Sequence, residues 1–180
     1  MKRLILITGD IASGKSHLAD ALSHRLNISV FEKDLIKEHF CDMYGYKTRE
    51  ENRELSVKAV NYMIDAFLRF ASLNQDIILE ANFRHDELSR IKQIADENKY
   101  DVTLLVLRGE LEFLYKRFLD RLPTRHIAHK SMRLDESIEK FKEYIDEQRN
   151  KELVFTPHVI EVTKLTPEEV LKQSLDIIGG

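Results

Sequence analysis

Short apolar runs alternate along the chain with longer segments in which apolar residues recur every three or four positions. A short continuous apolar run is typical of a strand buried on both faces, and the longer period is typical of an amphipathic helix. The runs predict five strands, at residues 4–8, 28–31, 77–79, 102–107 and 159–162. The periodic segments predict helices at residues 18–26, 33–43, 55–71, 86–98, 110–121 and 135–149, and a last one that opens at the capping box Thr166-Pro167-Glu168-Glu169.

Strands that alternate with helices predict βαβ units, and therefore an α/β fold with a parallel sheet covered by helices on both faces. In such sheets ligands bind at the carboxyl ends of the strands. The residues that directly follow each predicted strand are therefore the first candidates for chemistry.

Composition adds a few exclusions. The length of 180 residues predicts one domain, spanning 1–180. With 28 Lys and Arg against 31 Asp and Glu, the net charge of −3 gives no broad basic surface for nucleic acid. Cys41 is the only cysteine, which excludes an intrachain disulfide and favours a reducing compartment. The first apolar run is too short for a secretion signal, and no run suits a membrane span. We therefore expect a cytoplasmic protein with no membrane partner.

The first predicted strand leads into a phosphate-binding loop motif, G-x-x-x-x-G-K-[ST], at residues 9–16 (the P-loop). Glycines let successive backbone N–H groups turn toward phosphate oxygens, and the next helix presents its N-terminus to the same anion. Lys15 would reach the β- and γ-phosphates of a nucleotide, and the hydroxyl of Ser16 would bind Mg²⁺. The predicted nucleotide-binding residues of this segment are Gly9, Asp10, Ile11, Ala12, Ser13, Gly14, Lys15, Ser16 and His17.

An acid follows the second predicted strand. Asp34 would face the cleft, orient an acceptor hydroxyl and take its proton during transfer. The structural alternative for Asp34 is a helix N-cap, and Glu32 is the second candidate for the base.

The third predicted strand ends in Glu80, which fits a Walker B strand whose carboxylate holds Mg²⁺ directly or through water. Glu stands there in place of the commoner Asp, so both modes stay open. Asn82 and Arg84 continue along the same rim and are candidates for acceptor binding. Their alternative is a capped, solvated loop.

A cationic segment lies at residues 117–133. Arg117, Arg121 and Arg125 recur at a spacing of four, and His126, His129, Lys130 and Arg133 follow. Because guanidinium groups bind two phosphate oxygens at once, the cluster predicts a phosphate-gripping segment. The alternative is a solvated helix face whose arginines pair with Glu110, Glu112 and Asp120.

Residues 98–101 match the guanine-reading pattern N-K-x-D. The match precedes the fourth predicted strand, at the wrong edge of the sheet for a nucleotide contact. No D-x-x-G switch follows the third strand either, so a GTPase is not expected.

Together these residues resemble the small P-loop kinases of the nucleoside and nucleotide kinase type, with most similarity to the branch of polynucleotide 5′-hydroxyl kinases, chloramphenicol phosphotransferase and zeta toxins. The resemblance implies a three-layer P-loop NTPase fold with a five-stranded parallel sheet in the order 2-3-1-4-5, and an arginine-bearing lid at about 117–133. It also implies Asp34 as general base, Glu80, Asn82 and Arg84 as contacts to acceptor and metal waters, and an adenine site near residues 163–165.

The predicted function is an ATP- and Mg²⁺-dependent kinase. Lys15, Arg117 and Arg121 would act on the transferring phosphoryl group, with Arg125 gripping ATP. The acceptor hydroxyl stays open: it belongs to a small molecule, a nucleotide sugar or a 5′-hydroxyl nucleic-acid end. The alternative function is a nucleotide-binding ATPase or switch module without a small-molecule acceptor.

Overall fold

Within residues 2–179, which the structure describes, five parallel strands form one sheet. The structure is a computed structural model, and the side chains of residues 130–132 lie outside its described part, so the predicted cationic side chain of Lys130 does too. The strand order β2-β3-β1-β4-β5 confirms the predicted order 2-3-1-4-5. The strands are β1 (Lys2–Gly9), β2 (Ser29–Glu32), β3 (Ile77–Glu80), β4 (Tyr100–Arg108) and β5 (Pro157–Glu161).

Helices connect these strands and cover both faces of the sheet. Two short 3₁₀ turns, Leu122–Thr124 and Ile127–Met132, follow the fifth helix in the region of the predicted lid. The helices are α1 (Lys15–Leu26), α2 (Lys33–Tyr44), α3 (Arg49–Ser72), α4 (His85–Glu97), α5 (Leu111–Arg121), α6 (Ile138–Arg149) and α7 (Pro167–Gly179).

Alternate residues of the central strand β1 pack into two separate cores. Leu4 and Leu6 lie in the core formed with α3 and α4, whereas Ile5 and Ile7 lie in the core formed with α1 and α7. All four side chains are fully buried, as the continuous apolar run predicts. A third, smaller core joins α5 to α6 and includes Ala12 of the P-loop, so this helix pair packs against the P-loop.

Capping residues, and not periodicity, set the first residue of α3 and of α6. α3 begins at Arg49, because Thr48 and Glu51 form a capping box upstream of its first buried apolar residue. α6 begins at Ile138 and not at residue 135, because the hydroxyl of Ser137 accepts a hydrogen bond from the backbone N–H of Lys140 and caps the helix there.

The parallel register brings the predicted chemistry to one edge of the sheet. Ile7 near the end of β1 pairs with Glu80 at the end of β3, which in turn pairs with Glu32 at the end of β2. At the opposite edge, Lys2 pairs with Tyr100, so the N-K-x-D match lies far from the P-loop. This placement agrees with the expectation that the match does not read a guanine.

Candidate active site

The P-loop has the backbone of an anion-binding turn. Gly9 and Gly14 have φ angles of +127° and +97°, in the region that favours glycine. A Cβ on Gly9 would lie 2.1 Å from the carbonyl oxygen of Leu107, so the close approach of β1 and β4 also requires glycine there. Gly14 caps α1 without a side-chain hydrogen bond, which leaves the first N–H groups of α1 free to bind a ligand.

A buried ion pair fixes the start of the P-loop. The Asp10 carboxylate is almost fully buried and accepts hydrogen bonds from Arg149 Nε (3.1 Å) and Arg149 Nη2 (2.5 Å) and from the backbone N–H of Gly109 (3.1 Å). Arg149 Nη2 also donates to the carbonyl of Gly109 at 2.7 Å. The last residue of α6 therefore connects the P-loop to the end of β4. The Asp10 side chain points toward Arg149 and Gly109 and not into the cleft, so only the backbone of Asp10 is available to a nucleotide.

We expect Arg149→Met to lower the free energy of unfolding by about 3 kcal/mol, because it leaves the buried Asp10 carboxylate without its cation. Urea denaturation measures the change. The double variant Asp10→Asn/Arg149→Met, which removes both charges, should recover most of the loss. If the free energy of unfolding of Arg149→Met lay within about 0.5 kcal/mol of the parent value, the range of an ordinary surface substitution, the Asp10–Arg149 ion pair would not stabilise the fold.

Lys15 and Ser16 face a large cleft of about 1270 Å³ at the carboxyl edge of the sheet. Lys15 Nζ donates to the carbonyls of Asp10 (2.7 Å) and Gly9 (3.2 Å), which holds the ammonium over the P-loop. Burial lowers the pKa of Lys15 below its ordinary value, although the negative charges of Glu80 and Asp34 oppose that shift.

Two carboxylates lie beside Ser16. The Ser16 hydroxyl donates to Glu80 Oε2 at 3.3 Å, and Glu32 is the neighbour of Glu80 across the sheet. Burial raises the pKa of Glu80 to about 7 and also raises the pKa of Glu32. Mg²⁺ prefers such oxygen ligands and keeps several waters, so these three side chains fit a Mg²⁺ site. Among the described residues no group of three or more His, Cys, Asp or Glu side chains could hold a metal ion.

The raised pKa of Glu80 predicts a pH dependence of stability in metal-free buffer. Between pH 4.5, the ordinary pKa of the group, and a pH of about 7, the Glu80 carboxyl keeps its proton in the folded protein but has lost it in the unfolded chain. Its contribution to stability is therefore complete below pH 4.5 and is lost as the pH rises to about 7. We expect the free energy of unfolding of the parent protein to fall by up to about 3 kcal/mol relative to Glu80→Gln over this interval. If the free energy of unfolding changed with pH in the same way for the parent protein and for Glu80→Gln, the prediction would be wrong.

Asp34 opens into the same cleft. It lies in the first turn of α2, whose N-cap is Glu32, so Asp34 is not the cap that the alternative reading required. Its carboxylate is 56% exposed to the cleft and lies 3.6 Å from Lys33 Nζ. Enclosure in the cleft would by itself raise the pKa of Asp34, but the surrounding positive side chains, Lys33 first, hold it below the ordinary value. An ionised carboxylate therefore faces the cleft beside Lys15.

The three arginines extend across the cleft. A Cβ on Gly14 would lie 3.7 Å from Arg117 Nη2, so Arg117 lies over the P-loop, with its guanidinium 5.3 Å from the Phe113 ring centre. Arg125 lies 5.2 Å from the ring centre of Phe118. All three arginines line the cleft, and among the described residues none forms an ion pair with Glu110, Glu112 or Asp120. The ion pairs that the solvated-face alternative proposed are therefore not formed by the described residues, although Arg121 is exposed.

The segment after β3 has a mixed role. Asn82 and Arg84 both line the cleft, but Arg84 Nε donates to Glu87 Oε1 at 2.8 Å and its backbone N–H donates to the same carboxylate at the start of α4. Arg84 is thus partly engaged as a helix cap, as its structural alternative proposes. Burial raises the pKa of Tyr144, which lines the same part of the cleft, to about 12.

The structure therefore brings most predicted site residues to one cleft: Ile11, Ala12, Gly14, Lys15, Ser16, His17, Asp34, Glu80, Asn82, Arg84, Arg117, Arg121 and Arg125. Three further residues of the P-loop, Gly9, Asp10 and Ser13, do not line the cleft. The Ser13 hydroxyl instead donates a hydrogen bond to the carbonyl of Asp10 at 2.7 Å, within the loop. Of the segment predicted to bind adenine, Thr163 accepts a hydrogen bond from Glu110, and Leu165 packs in the core. Sequence reasoning missed Lys37, Arg53, Tyr144 and Lys151 as cleft residues.

A family model described as an AAA domain matches residues 5–150, which contain the P-loop, Asp34, Glu80 and the three arginines. No curated protein gives a significant match to the sequence. Among the helices of residues 2–179, none is long and apolar enough to cross a membrane.

Solved structures share the fold along nearly the whole chain. A candidate kinase from Chloroflexus aurantiacus is 22% identical, with a TM-score of 0.81 and 98% of each chain covered. The tunicamycin resistance protein of Deinococcus radiodurans is 17% identical, with a TM-score of 0.64 and 99% and 96% of the two chains covered. The APS kinase of Mycobacterium tuberculosis, in complex with AMPPNP and APS, is 12% identical, with a TM-score of 0.64 and 99% and 98% covered. The predicted P-loop fold is confirmed.

Proposed function

Since the chain belongs to the AAA domain family, we propose that its P-loop binds ATP and that the protein is a kinase, which transfers the γ-phosphate of ATP to a hydroxyl group of an acceptor. One observation carries the proposal: Asp34, an ionised carboxylate, faces the same cleft as Lys15 of the P-loop. Kinases among the similarly folded proteins support it as well.

The roles follow from the chemistry of phosphoryl transfer, which relies on positioning and charge stabilisation. Lys15, Arg117 and Arg121 stabilise the negative charge that develops on the transferring group. Asp34 orients the acceptor hydroxyl and receives its proton. Ser16, Glu80 and Glu32 are the side chains that would hold Mg²⁺, which when bound neutralises phosphate charge.

Residues 117–133 serve in this proposal as a lid on one domain spanning residues 1–180. Lys37 Nζ and Asn52 Nδ2 both donate to the carbonyl of Ala128, at 3.1 and 3.0 Å. His129 contacts Glu38 at 3.0 Å, and His126 contacts Asp42 at the same distance. These contacts hold the lid against α2 and α3 on the side of the cleft where Asp34 lies. In this proposal the lid limits the access of water to bound ATP during transfer, which protects ATP from hydrolysis.

The rival function is an ATPase or switch module that uses the same P-loop without an acceptor. Such a protein needs a group that positions a water and a surface that passes the signal on. The ionised Asp34 carboxylate in the same cleft as Lys15 favours transfer to a bound hydroxyl.

The experiment is incubation with ATP labelled at the γ-phosphate, Mg²⁺ and a panel of hydroxyl compounds that includes nucleotide sugars and 5′-hydroxyl oligonucleotides. A labelled acceptor supports the kinase, whereas label found only in inorganic phosphate supports the rival. The Lys15→Met protein serves as the blank, since it removes the ammonium from the P-loop.

A further inference from the structure

The cleft beyond the P-loop is lined by more positive than negative side chains. Its lysines and arginines outnumber its acids, although the whole protein has a net charge of −3. A half-enclosed cleft lined by one sign of charge attracts ligands of the opposite sign. Counted over the whole cleft, the positive side chains are Lys15, Lys33, Lys37, Arg53, Arg84, Arg117, Arg121, Arg125 and Lys151, and the acids are Asp20, Glu32, Asp34, Glu38, Glu80 and Glu87.

Three of these acids already have partners. Asp34 lies beside Lys33, Glu38 contacts His129, and Glu87 binds Arg84. Among the described residues, no carboxylate oxygen lies within 4.0 Å of the side-chain nitrogens of Lys37, Arg53 or Arg125. Lys37, Arg53 and Arg125 are therefore among the positive side chains of the cleft that have no ion-pair partner in the described part of the protein.

Lys37 and Arg125 are also partly withdrawn from water. Lys37 is 9% exposed, and its ammonium donates to a backbone carbonyl only. Burial lowers the pKa of Lys37 and that of Arg125. Neighbouring cations, Lys33 and Arg125 for Lys37 and Arg121 for Arg125, lower the two pKa values further, whereas the negative charge of Asp34 opposes both shifts. Desolvated like charges are unfavourable unless an anion lies between them. Arg53 projects into the same cleft from α3.

We propose that the acceptor carries an anionic group of its own, a carboxylate or a phosphate, and that Lys37, Arg53 and Arg125 bind this group while the acceptor hydroxyl faces Asp34. The inference rests on the proposed kinase function and deepens it. Lys37 follows Asp34 by three residues, so both side chains lie on one face of α2. Arginine forks and an ammonium are suited to carboxylate and phosphate oxygens.

The first test compares related acceptors with and without an anionic group, with Mg²⁺-ATP at saturation. Glycerol, glycerate and glycerol 3-phosphate form one such set, and ribose and ribose 5-phosphate form another. We expect a higher kcat/KM for the anionic members, and the better of the two anions identifies the group as carboxylate or phosphate. An uncharged member that is used as well as its anionic partners would overturn the inference but not the kinase function.

Variants then assign the preference to residues. Arg53→Gln and Lys37→Met should each raise KM for the preferred anionic acceptor about 10- to 100-fold, with a smaller change in kcat and no change for an uncharged analogue. Arg69→Gln, on an exposed position of the same helix as Arg53, should change nothing. Asn52→Ala removes the other hydrogen bond to the Ala128 carbonyl but no charge. If Asn52→Ala reproduced the Lys37→Met effect, Lys37 would act by holding the lid and not by binding the anion.

If no acceptor of the panel is phosphorylated, binding measurements test the proposed kinase function and the proposed anion-binding group separately. The P-loop is first filled with Mg²⁺ and AMPPNP, and inorganic phosphate or acetate is then titrated with the thermal midpoint as readout. Failure to bind AMPPNP contradicts the proposed function. A protein that binds AMPPNP but shows no stabilisation by either anion contradicts the anion subsite, and stabilisation that is lost in Arg53→Glu supports it.

Discussion

Asp34→Asn is expected to lower kcat of phosphoryl transfer about 10²- to 10⁴-fold while the affinity for Mg²⁺-ATP stays within about twofold. The substitution keeps the shape of the side chain and removes its ability to accept a proton. Asp34 lies in the first turn of α2 beside Lys33, so an amide can occupy the same place. Single-turnover transfer measures the rate, and calorimetry measures the nucleotide affinity.

The loss should be the same at every pH between about 6 and 9, because the positive side chains around Asp34 hold its pKa below the ordinary value and keep it ionised throughout. Asp65→Asn, an exposed position on α3, is the matched control and should behave like the parent protein. If Asp34→Asn transferred phosphate at the parental rate with several acceptors, Asp34 would not be the base, and Glu32 would be the next residue to test.

The sheet could be predicted from the sequence because the pattern of each strand reflects burial. Residues 4–8 face two cores at once, so their continuous apolar run leaves few other structures. The P-loop could be predicted for a different reason: its motif is contiguous in the chain, and Gly14, Lys15 and Ser16 each meet a steric or chemical need within one turn.

The rest of the site depends on contacts between residues far apart in the chain. Asp10 and Arg149 are separated by 139 positions, and nothing in either local sequence indicates that they pair. In the sequence, Lys37 is indistinguishable from any lysine of an amphipathic helix. Only the folded structure shows that its ammonium donates a hydrogen bond to the carbonyl of Ala128 in the lid. Tyr144 lies between the buried residues Phe141 and Ile145 of α6, so the sequence pattern places it with the core, and only the folded structure shows that it also lines the cleft.

Arg53 was missed as a cleft residue because the predicted first residue of α3 was wrong. Predicting α3 from its apolar residues alone begins the helix at residue 55 and leaves Arg53 in a loop. The capping box of Thr48 and Glu51 was the available signal for the earlier start. With the helix extended to Arg49, Arg53 lies on the wall of the cleft and joins the group of positive side chains around Asp34.

Lys15→Met should lower kcat of phosphoryl transfer by at least about 10²- to 10³-fold, the loss expected when one preorganised donor to the developing charge is removed. Because this donor acts most strongly on the transition state, the affinity for Mg²⁺-ATP should fall by a much smaller factor. Lys15→Arg should not restore the rate, since the bulkier guanidinium does not fit where Nζ contacts the Gly9 and Asp10 carbonyls. Lys172→Met, an exposed position on α7, is the control. A Lys15→Met protein that transfers phosphate within tenfold of the parental rate would show that the P-loop ammonium does not stabilise the transferring group.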